Sequence, residues 1–292
     1  MKITDKSTIV YYHSNCWDGA AAAWAAWRHL SLDAQYVPIN YKNYEKELYD
    51  TRGKNVFILD FSFPRPVLEK MHAEAESLRV LDHHLSAMEA LEGLEYATFD
   101  MDKSGARLAW EYFHPGESIP LIIQVVEDRD LWRFTHPMTK PINAYLRMEK
   151  PSIVAVDEAD MLIEEEGTQT ILDRGEAILS YIEKQVKDAV RSRFTVRFDG
   201  LEVECAGCSP DIASEVGQAL AGVSRSDVGC CILLLPDGAV LSFRSLGDGC
   251  ALNVAKKLAG GGHHHAAGAN VNHEILQRVL VDKSWYPTAE VL

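Results

Sequence analysis

Residues 55–84 read NVFILDFSFPRPVLEKMHAEAESLRVLDHH, and this stretch decides the fold. Asn55–Phe61 is a continuous apolar run broken only by Asp60. Ser62-Phe63-Pro64 follows as a helix start, with proline in the first turn. Ser77–Leu81 is a second apolar run, and Asp82-His83-His84 stands directly behind it. Strands that are apolar at nearly every position are buried on both faces. Alternating with helices, they form a parallel, helix-covered sheet. Such sheets keep their chemistry at the carboxyl ends of the strands.

The same rhythm extends towards the N-terminus. Thr8–Tyr12 is a β-branched and aromatic run, which leads into His13-Ser14-Asn15-Cys16-Trp17-Asp18-Gly19 and an alanine-rich helical stretch, Ala20–Leu30. Beyond the decisive stretch, Ser104–Phe113 and Leu121–Trp132 read as helices, and Gln169–Arg193 is a long amphipathic pattern with interleaved charges. Glu164-Glu165-Glu166 just before it reads as a solvated face. From Phe194 the texture changes. Phe194–Phe198 and Leu201–Cys205 flank Asp199-Gly200, and Cys230–Leu235 and Ala239–Arg244 flank Pro236-Asp237-Gly238, both hairpin signals. The expected fold class is α/β: a parallel, helix-covered sheet in residues 1–168, a helical linker in residues 169–194, and a smaller α+β domain in residues 195–292.

Composition bounds the function. The chain has 292 residues, 47% of them hydrophobic and 25% charged, which excludes disordered and collagen-like classes. No apolar run is long enough for a membrane span, so no membrane partner is expected. Met1–Lys6 has no apolar stretch behind it, and a cytoplasmic location is the expectation. The 43 acids against 29 bases give a formal charge of −14, which argues against an extended groove for long nucleic acid. The six cysteines suggest no disulfide framework. Cys205-x-x-Cys208 is half a zinc pattern without a second half, and buried reduced thiols are the plainer reading.

Potential metal ligands close three successive strands: His13, Cys16 and Asp18 after the first, Asp60 at the second, and Asp82, His83 and His84 after the third. Glu127-Asp128-Arg129-Asp130 ends a helical run as a fourth cluster. Taken singly, each has a dull reading. His13 is a strand-end residue, Asp18-Gly19 a turn, and Asp60 a helix cap. Two adjacent histidines behind a buried strand and an aspartate have little structural purpose, and the recurrence at equivalent sheet positions favours a metal centre. Imidazole and carboxylate ligands around a pair of divalent cations suit phosphate-ester hydrolysis, because the ions supply a nucleophilic water and neutralise phosphoryl oxygens.

In motif order and content the chain resembles the DHH phosphoesterase superfamily, named for the triad that stands here as Asp82-His83-His84. The match spans nearly the whole sequence: His13 and Asp18-Gly19, then Asp60, the triad, and a further aspartate. The C-terminal part resembles the family's associated domain through Ser242-Phe243-Arg244-Ser245 and Gly260-Gly261-Gly262-His263-His264-His265-Ala266-Ala267-Gly268. The resemblance implies that His13 ligates a first metal, that Asp18 and His83 ligate a second, and that Asp60 bridges them. Asp82 would orient a histidine, and His84 would face the scissile phosphate. Asp130 is preferred as the fourth acid, because Asp130-Leu131-Trp132 resembles the family's aspartate followed by an apolar and an aromatic residue; Asp128 is its competitor. Arg244, Gly261, Gly262 and His263 would hold the substrate, Arg244 by its planar fork and the glycines by backbone N–H groups.

One position departs from the family pattern. Cys16 stands where the family's D-x-D has its first aspartate. As a thiolate it would bias that site towards zinc or iron; otherwise it is a bystander or weak ligand. The resemblance implies a metal-dependent phosphohydrolase, with two manganese ions as cofactors and magnesium, zinc or iron as alternatives. Length and charge favour short oligonucleotides or small nucleotides as substrates and disfavour long duplexes. A phosphatase for a small metabolite or pyrophosphate, and a non-catalytic nucleotide-binding regulator, are the rival readings. The oligomeric state stays open, a homodimer included.

Overall fold

The computed structural model describes residues 1–42 and 44–286, without the side chain of His263. The chain divides into two compact units, Met1–Leu179 and Ser180–Leu292.

The first unit is an α/β layer structure. Its strands are β1 (Thr8–His13), β2 (Ala34–Ile39), β3 (Asn55–Leu59), β4 (Ser77–Asp82) and β5 (Ala97–Phe99). They form one sheet in the order β2-β1-β3-β4-β5, and every pair is parallel. Its helices are α1 (Trp17–Leu30), α2 (Arg65–Glu74), α3 (Leu85–Ala90), α4 (Gly105–Phe113), α5 (Leu121–Asp130), α6 (Thr139–Leu146) and α7 (Ile153–Glu165). Helix α8 (Thr168–Arg191) runs across the division between the units.

Alternation along the strands explains the two apolar layers. Val10 and Tyr12 of β1 join Leu59 and Leu81 against α1, α4 and α5. Ile9 and Tyr11 join Val56, Ile58 and Val80 on the other face, with Leu68 and Met71 of α2. The alanine run Ala20–Ala26 is wholly buried and lets α1 lie close to its neighbours. Trp24 is also buried there, stacked on Trp110 of α4 at 5.7 Å, and its indole donates to Asp157 at 2.9 Å.

The parallel sheet and the three decisive strands are as the sequence predicts. Strand β2, AQYVPI, is hidden from the sequence pattern because Pro38 interrupts it. It lies at the sheet edge, where a missing N–H is tolerated. Helices α6 and α7 are likewise additions to the sequence-based expectation. Among the described residues, no helix is long and apolar enough to cross a membrane.

The second unit holds one sheet in the order β10-β11-β9-β8-β7-β6-β12. Its strands are β6 (Phe194–Phe198), β7 (Leu201–Gly207), β8 (Val228–Leu235), β9 (Gly238–Ser245), β10 (Gly261–His263), β11 (Ala266–Asn272) and β12 (Ser284–Trp285). Helices α9 (Ala213–Ala221), α10 (Ala251–Lys257) and α11 (His273–Gln277) complete it. Both hairpins are present. Phe198 pairs with Leu201 across Asp199-Gly200, which have φ of 49° and 85°, the left-handed pair that a tight hairpin turn needs. In the second hairpin Leu235 pairs with Gly238, so the turn is Pro236-Asp237 and the glycine already belongs to the strand. The sheet is mixed rather than wholly antiparallel, since β7–β8 and β6–β12 run parallel.

Candidate metal centre

The four clusters at the strand and helix ends meet. Asp60 follows β3 with φ of 53°, a sparsely populated conformation for a residue with a side chain; it sits directly behind the strand end. Asp18 sits in the first turn of α1, and His83 and His84 follow β4. Two groups of side chains each offer ligand atoms within 4.8 Å of one another: His13, Asp60 and His84 in one, Asp18, Asp60 and His83 in the other. Asp60 is common to both.

Two glycines make this crowding feasible. Gly19 lies inside α1, so it is not the turn residue that Asp-Gly suggests; a Cβ there would stand 2.2 Å from the His13 carbonyl oxygen. A Cβ on Gly105 would stand 2.5 Å from the Asp60 Cβ. Without side chains at these points, α1 and α4 reach the strand ends.

Charge defines the centre. His83 Nε2 lies 3.2 Å from Asp60, 3.5 Å from Asp18 and 3.5 Å from Asp130. His13 Nδ1 lies 3.4 Å from the other Asp60 oxygen. Yet both Asp60 oxygens and His13 Nδ1 are buried without an aligned hydrogen-bond partner. Unsatisfied buried carboxylate oxygens are costly unless a cation meets them. Burial, together with the facing carboxylates of Asp60 and Asp130, pushes the Asp18 carboxyl well up. Burial and Asp60 raise Asp130 to about 6. Burial opposes the charge on His83, but Asp60, Asp18 and Asp130 raise it to about 10, so the imidazolium offsets part of the carboxylate charge. Burial works against the Asp60 charge too, but His13 and His83 hold its carboxyl below the usual range. A carboxylate-rich, buried site with unpaired acceptors fits divalent cations.

The surrounding contacts hold these groups in place. Asp18 accepts the backbone N–H groups of Gly105 and Ala106 at 2.6 and 2.9 Å, so a side chain of this protein occupies the N-terminus of α4. Ser104 caps that helix by accepting from the Arg107 N–H. Asp82 is fully buried. It lies 2.6 Å from His84 Nδ1, accepts the Ser62 hydroxyl at 2.6 Å and accepts the His83 N–H at 2.8 Å.

The remaining candidates divide. Asp130 is at the centre, whereas Asp128 is turned into the following segment, accepting from the Thr135 N–H and hydroxyl, the His136 N–H and the Thr139 hydroxyl. These bonds overcome burial and lower the Asp128 carboxyl to about 2. His84, expected to face the phosphate, offers a ring nitrogen to the His13–Asp60 group. Cys16 precedes α1 as its cap residue. Its thiol lies outside both ligand groups. Burial and the charges of Asp60, Asp130 and Asp18 push it well above the usual thiol range. Tyr41, which the sequence reading missed, stands beside the centre. It is 51% exposed, with its ring 4.3 Å from Phe61 and 6.0 Å from His13. It follows the hidden strand β2, so no signal pointed to it.

In the second unit, Arg244 lies on β9 and pairs in register with Ala266, which pairs on its other side with His263 of β10. The Arg244 guanidinium donates to the hydroxyls of Ser242 and Ser214 and to the Phe243 carbonyl, and burial lowers its pKa. Gly261 and Gly262 lie on β10, exposed. The side chain of His263 lies outside the described residues. His265 Nδ1 lies 3.0 Å from the Ser245 hydroxyl, and His264 Nδ1 lies 3.5 Å from the Cys250 thiol.

No family model matches the sequence. An uncharacterized protein of Acanthamoeba polyphaga mimivirus is 27% identical over 287 residues, covering 90% of this chain and 67% of that protein. Among solved structures, the DHH domain of a member of a family of ribosomal proteins superposes with a TM-score of 0.63 at 13% identity, covering 95% of this chain and 85% of that one. The pGpG-specific phosphodiesterase PggH of Vibrio cholerae gives 0.55 at 14% identity, covering 94% and 96%. RecJ of Thermus thermophilus in complex with Mn2+ gives 0.56 at 14% identity, covering 92% of this chain and 50% of that one. The sheet order, the site at its carboxyl ends and these likenesses agree: the chain has the fold of the DHH-domain proteins.

Proposed function

We propose that this protein is a divalent-metal-dependent phosphohydrolase that cleaves phosphate esters of short oligonucleotides or small nucleotides. The observation that carries the reading is Asp60, whose two buried oxygens lack aligned partners and belong to two adjacent ligand groups. The fold supports it, since proteins similar in structure include a pGpG-specific phosphodiesterase and a RecJ complexed with Mn2+. Divalent cations in such a site supply an acidified water as nucleophile and neutralise phosphoryl oxygens. Asp18, Asp60, His83 and Asp130 would hold one ion, and His13, Asp60 and His84 the other. The first set is rich in carboxylates and suits manganese or magnesium. The second is rich in imidazole and admits zinc or iron as well.

The chain's own groups do the positioning. The α4 amides fix Asp18, leaving it to share His83 with Asp60 and Asp130. Asp82 sets the orientation of His84 through Nδ1. Cys16 is a neutral bystander in this reading. Arg244, Gly261, Gly262 and His263 are proposed to hold the phosphate and sugar of the substrate. The formal charge of −14 disfavours long duplexes.

The test is incubation with manganese and a panel of dinucleotides, bisphosphorylated nucleosides and pyrophosphate. Turnover of either of the first two is the expected result. Turnover of pyrophosphate alone would move the activity to a small-metabolite phosphatase. Nucleotide binding without turnover, with every metal tried, would make the protein a regulator.

A further inference from the structure

The second unit contains five thiols that the proposed hydrolysis does not use. Cys250 lies beside His264, and the other four separate by face. Cys205 of β7 and Cys230 of β8 are register partners, both buried in the apolar core of that unit. Cys231 is the next residue along β8, so it points to the opposite face, towards α9. Its Sγ lies 3.2 Å from the Ala213 carbonyl oxygen at the start of α9. Cys208 stands two residues beyond Ala206, the register partner of Cys231, so alternation puts both thiols on this face, and each shifts the other's titration. Among the described residues no three of these thiols converge on one point, so a zinc site is not what they form.

The two thiols of the second pair differ in access. Cys231 is fully buried, while Cys208 is half-buried and lines a cavity of about 490 Å³ with Tyr181, Gln185, Asp188 and Asp211. We propose that Cys208 and Cys231 are a peroxide-responsive pair that closes reversibly into a disulfide and thereby loosens the support of Arg244. Cys208 is the entry point. Its thiolate attacks one oxygen of hydrogen peroxide, the O–O bond breaks, and a sulfenic acid forms as hydroxide leaves and takes up a proton. Cys231 then attacks that sulfur, the S–S bond forms and water departs with the Cys231 proton. The sum is two thiols and one peroxide giving one disulfide and two waters.

The link to Arg244 is local to this unit. A Cβ placed on Gly217 of α9 would lie 3.6 Å from Cys231 Sγ and 2.8 Å from Arg244 Cγ, so the thiol and the arginine stem share one spot on α9. Ser214, next to the Ala213 carbonyl that faces Cys231, accepts from the Arg244 guanidinium at 2.9 Å. Disulfide formation takes the Cys231 proton away from Ala213 and draws the sulfur towards Cys208. The turn that presents Ser214 to Arg244 shifts with it.

The experiment titrates the reduced full chain with hydrogen peroxide, blocks residual thiols by alkylation and maps unreduced peptides by mass spectrometry. A Cys208–Cys231 cross-link that dithiothreitol reverses is expected, absent in Cys208→Ser. In Cys231→Ala, dimedone should label Cys208. Oxidation of Cys208 to sulfinic acid in the wild type while Cys231 stays a free thiol would overturn the pair. The coupling to Arg244 rests on the phosphohydrolase reading. It predicts a several-fold, dithiothreitol-reversible rise in KM for a dinucleotide on oxidation, with Cys208→Ser unaffected. A disulfide with unchanged KM would overturn the coupling. Absence of turnover in the reduced protein would instead count against the phosphohydrolase, because the peptide map needs no activity.

Discussion

At the scale of single residues, Asp60 and Asp128 show how differently two buried aspartates can be used. Asp60 has buried oxygens without an aligned hydrogen-bond donor and a left-handed backbone, an arrangement that a divalent cation would satisfy. Asp60→Asn should abolish most manganese-supported turnover and weaken manganese binding by calorimetry, since both ligand groups lose the same charge; near-normal turnover would refute the shared-ligand reading. Asp128 has its acceptors filled by the segment 135–139. Asp128→Asn should therefore lower stability by about 1–3 kcal/mol in urea unfolding while manganese affinity persists. Asp130→Asn should do the reverse, weakening manganese binding with little loss of stability. The sequence carried both aspartates and a preference for Asp130, but spacing does not reveal which side chain turns to the strand ends. That depends on the helix α5 ending at Asp130 and on two threonines that claim Asp128. The role of Gly19 was hidden for a related reason. Asp-Gly reads as a turn from composition, whereas here the glycine relieves contact between a helix and the carbonyl of His13.

At the scale of elements, strands announced themselves where they are apolar throughout or flank a turn signal, and an edge strand interrupted by proline did not. β1, β3 and β4 were legible because both faces are buried. Edge strand β2 was obscured by Pro38, and Tyr41 behind it was lost with it. Helix α7 was missed although it covers α1. There Asp160 lies 3.4 Å from Arg28 and is nearly buried. Burial and Glu164 raise its carboxyl to about 6, against the opposing pull of Arg28. The folded state thus holds a proton more tightly than the unfolded chain. The associated stability is complete below the ordinary carboxylate pKa of about 4 and is lost as pH rises through about 6. Asp160→Asn should accordingly raise the Tm at pH 8 more than at pH 5, as read by calorimetry. An equal effect at both values would remove this carboxyl as the source of the pH dependence.

At the scale of the whole molecule, the carboxyl ends of the sheet gather acids that repel one another, and the proposed cations would neutralise them. His83 supplies part of the missing positive charge, but one imidazolium cannot balance Asp18, Asp60 and Asp130. Manganese should therefore raise the Tm, by the equivalent of about 2.7 kcal/mol at a hundredfold excess over Kd. Chelation should reverse the shift, and Asp60→Asn should lose most of it. The motif order made this cluster legible from sequence, because His13, Asp60 and His83 stand at or directly behind the ends of buried strands. The nearness of Cys208 to Cys231 was not legible, because it comes from the pairing of β7 with β8, which sets Ala206 beside Cys231, 25 positions on. The most direct measurement is anomalous diffraction from crystals soaked in manganese. The account predicts peaks among Asp18, Asp60, His83 and Asp130 and among His13, Asp60 and His84. Soaked crystals with no ion at Asp60, or with manganese bound only elsewhere, would contradict it.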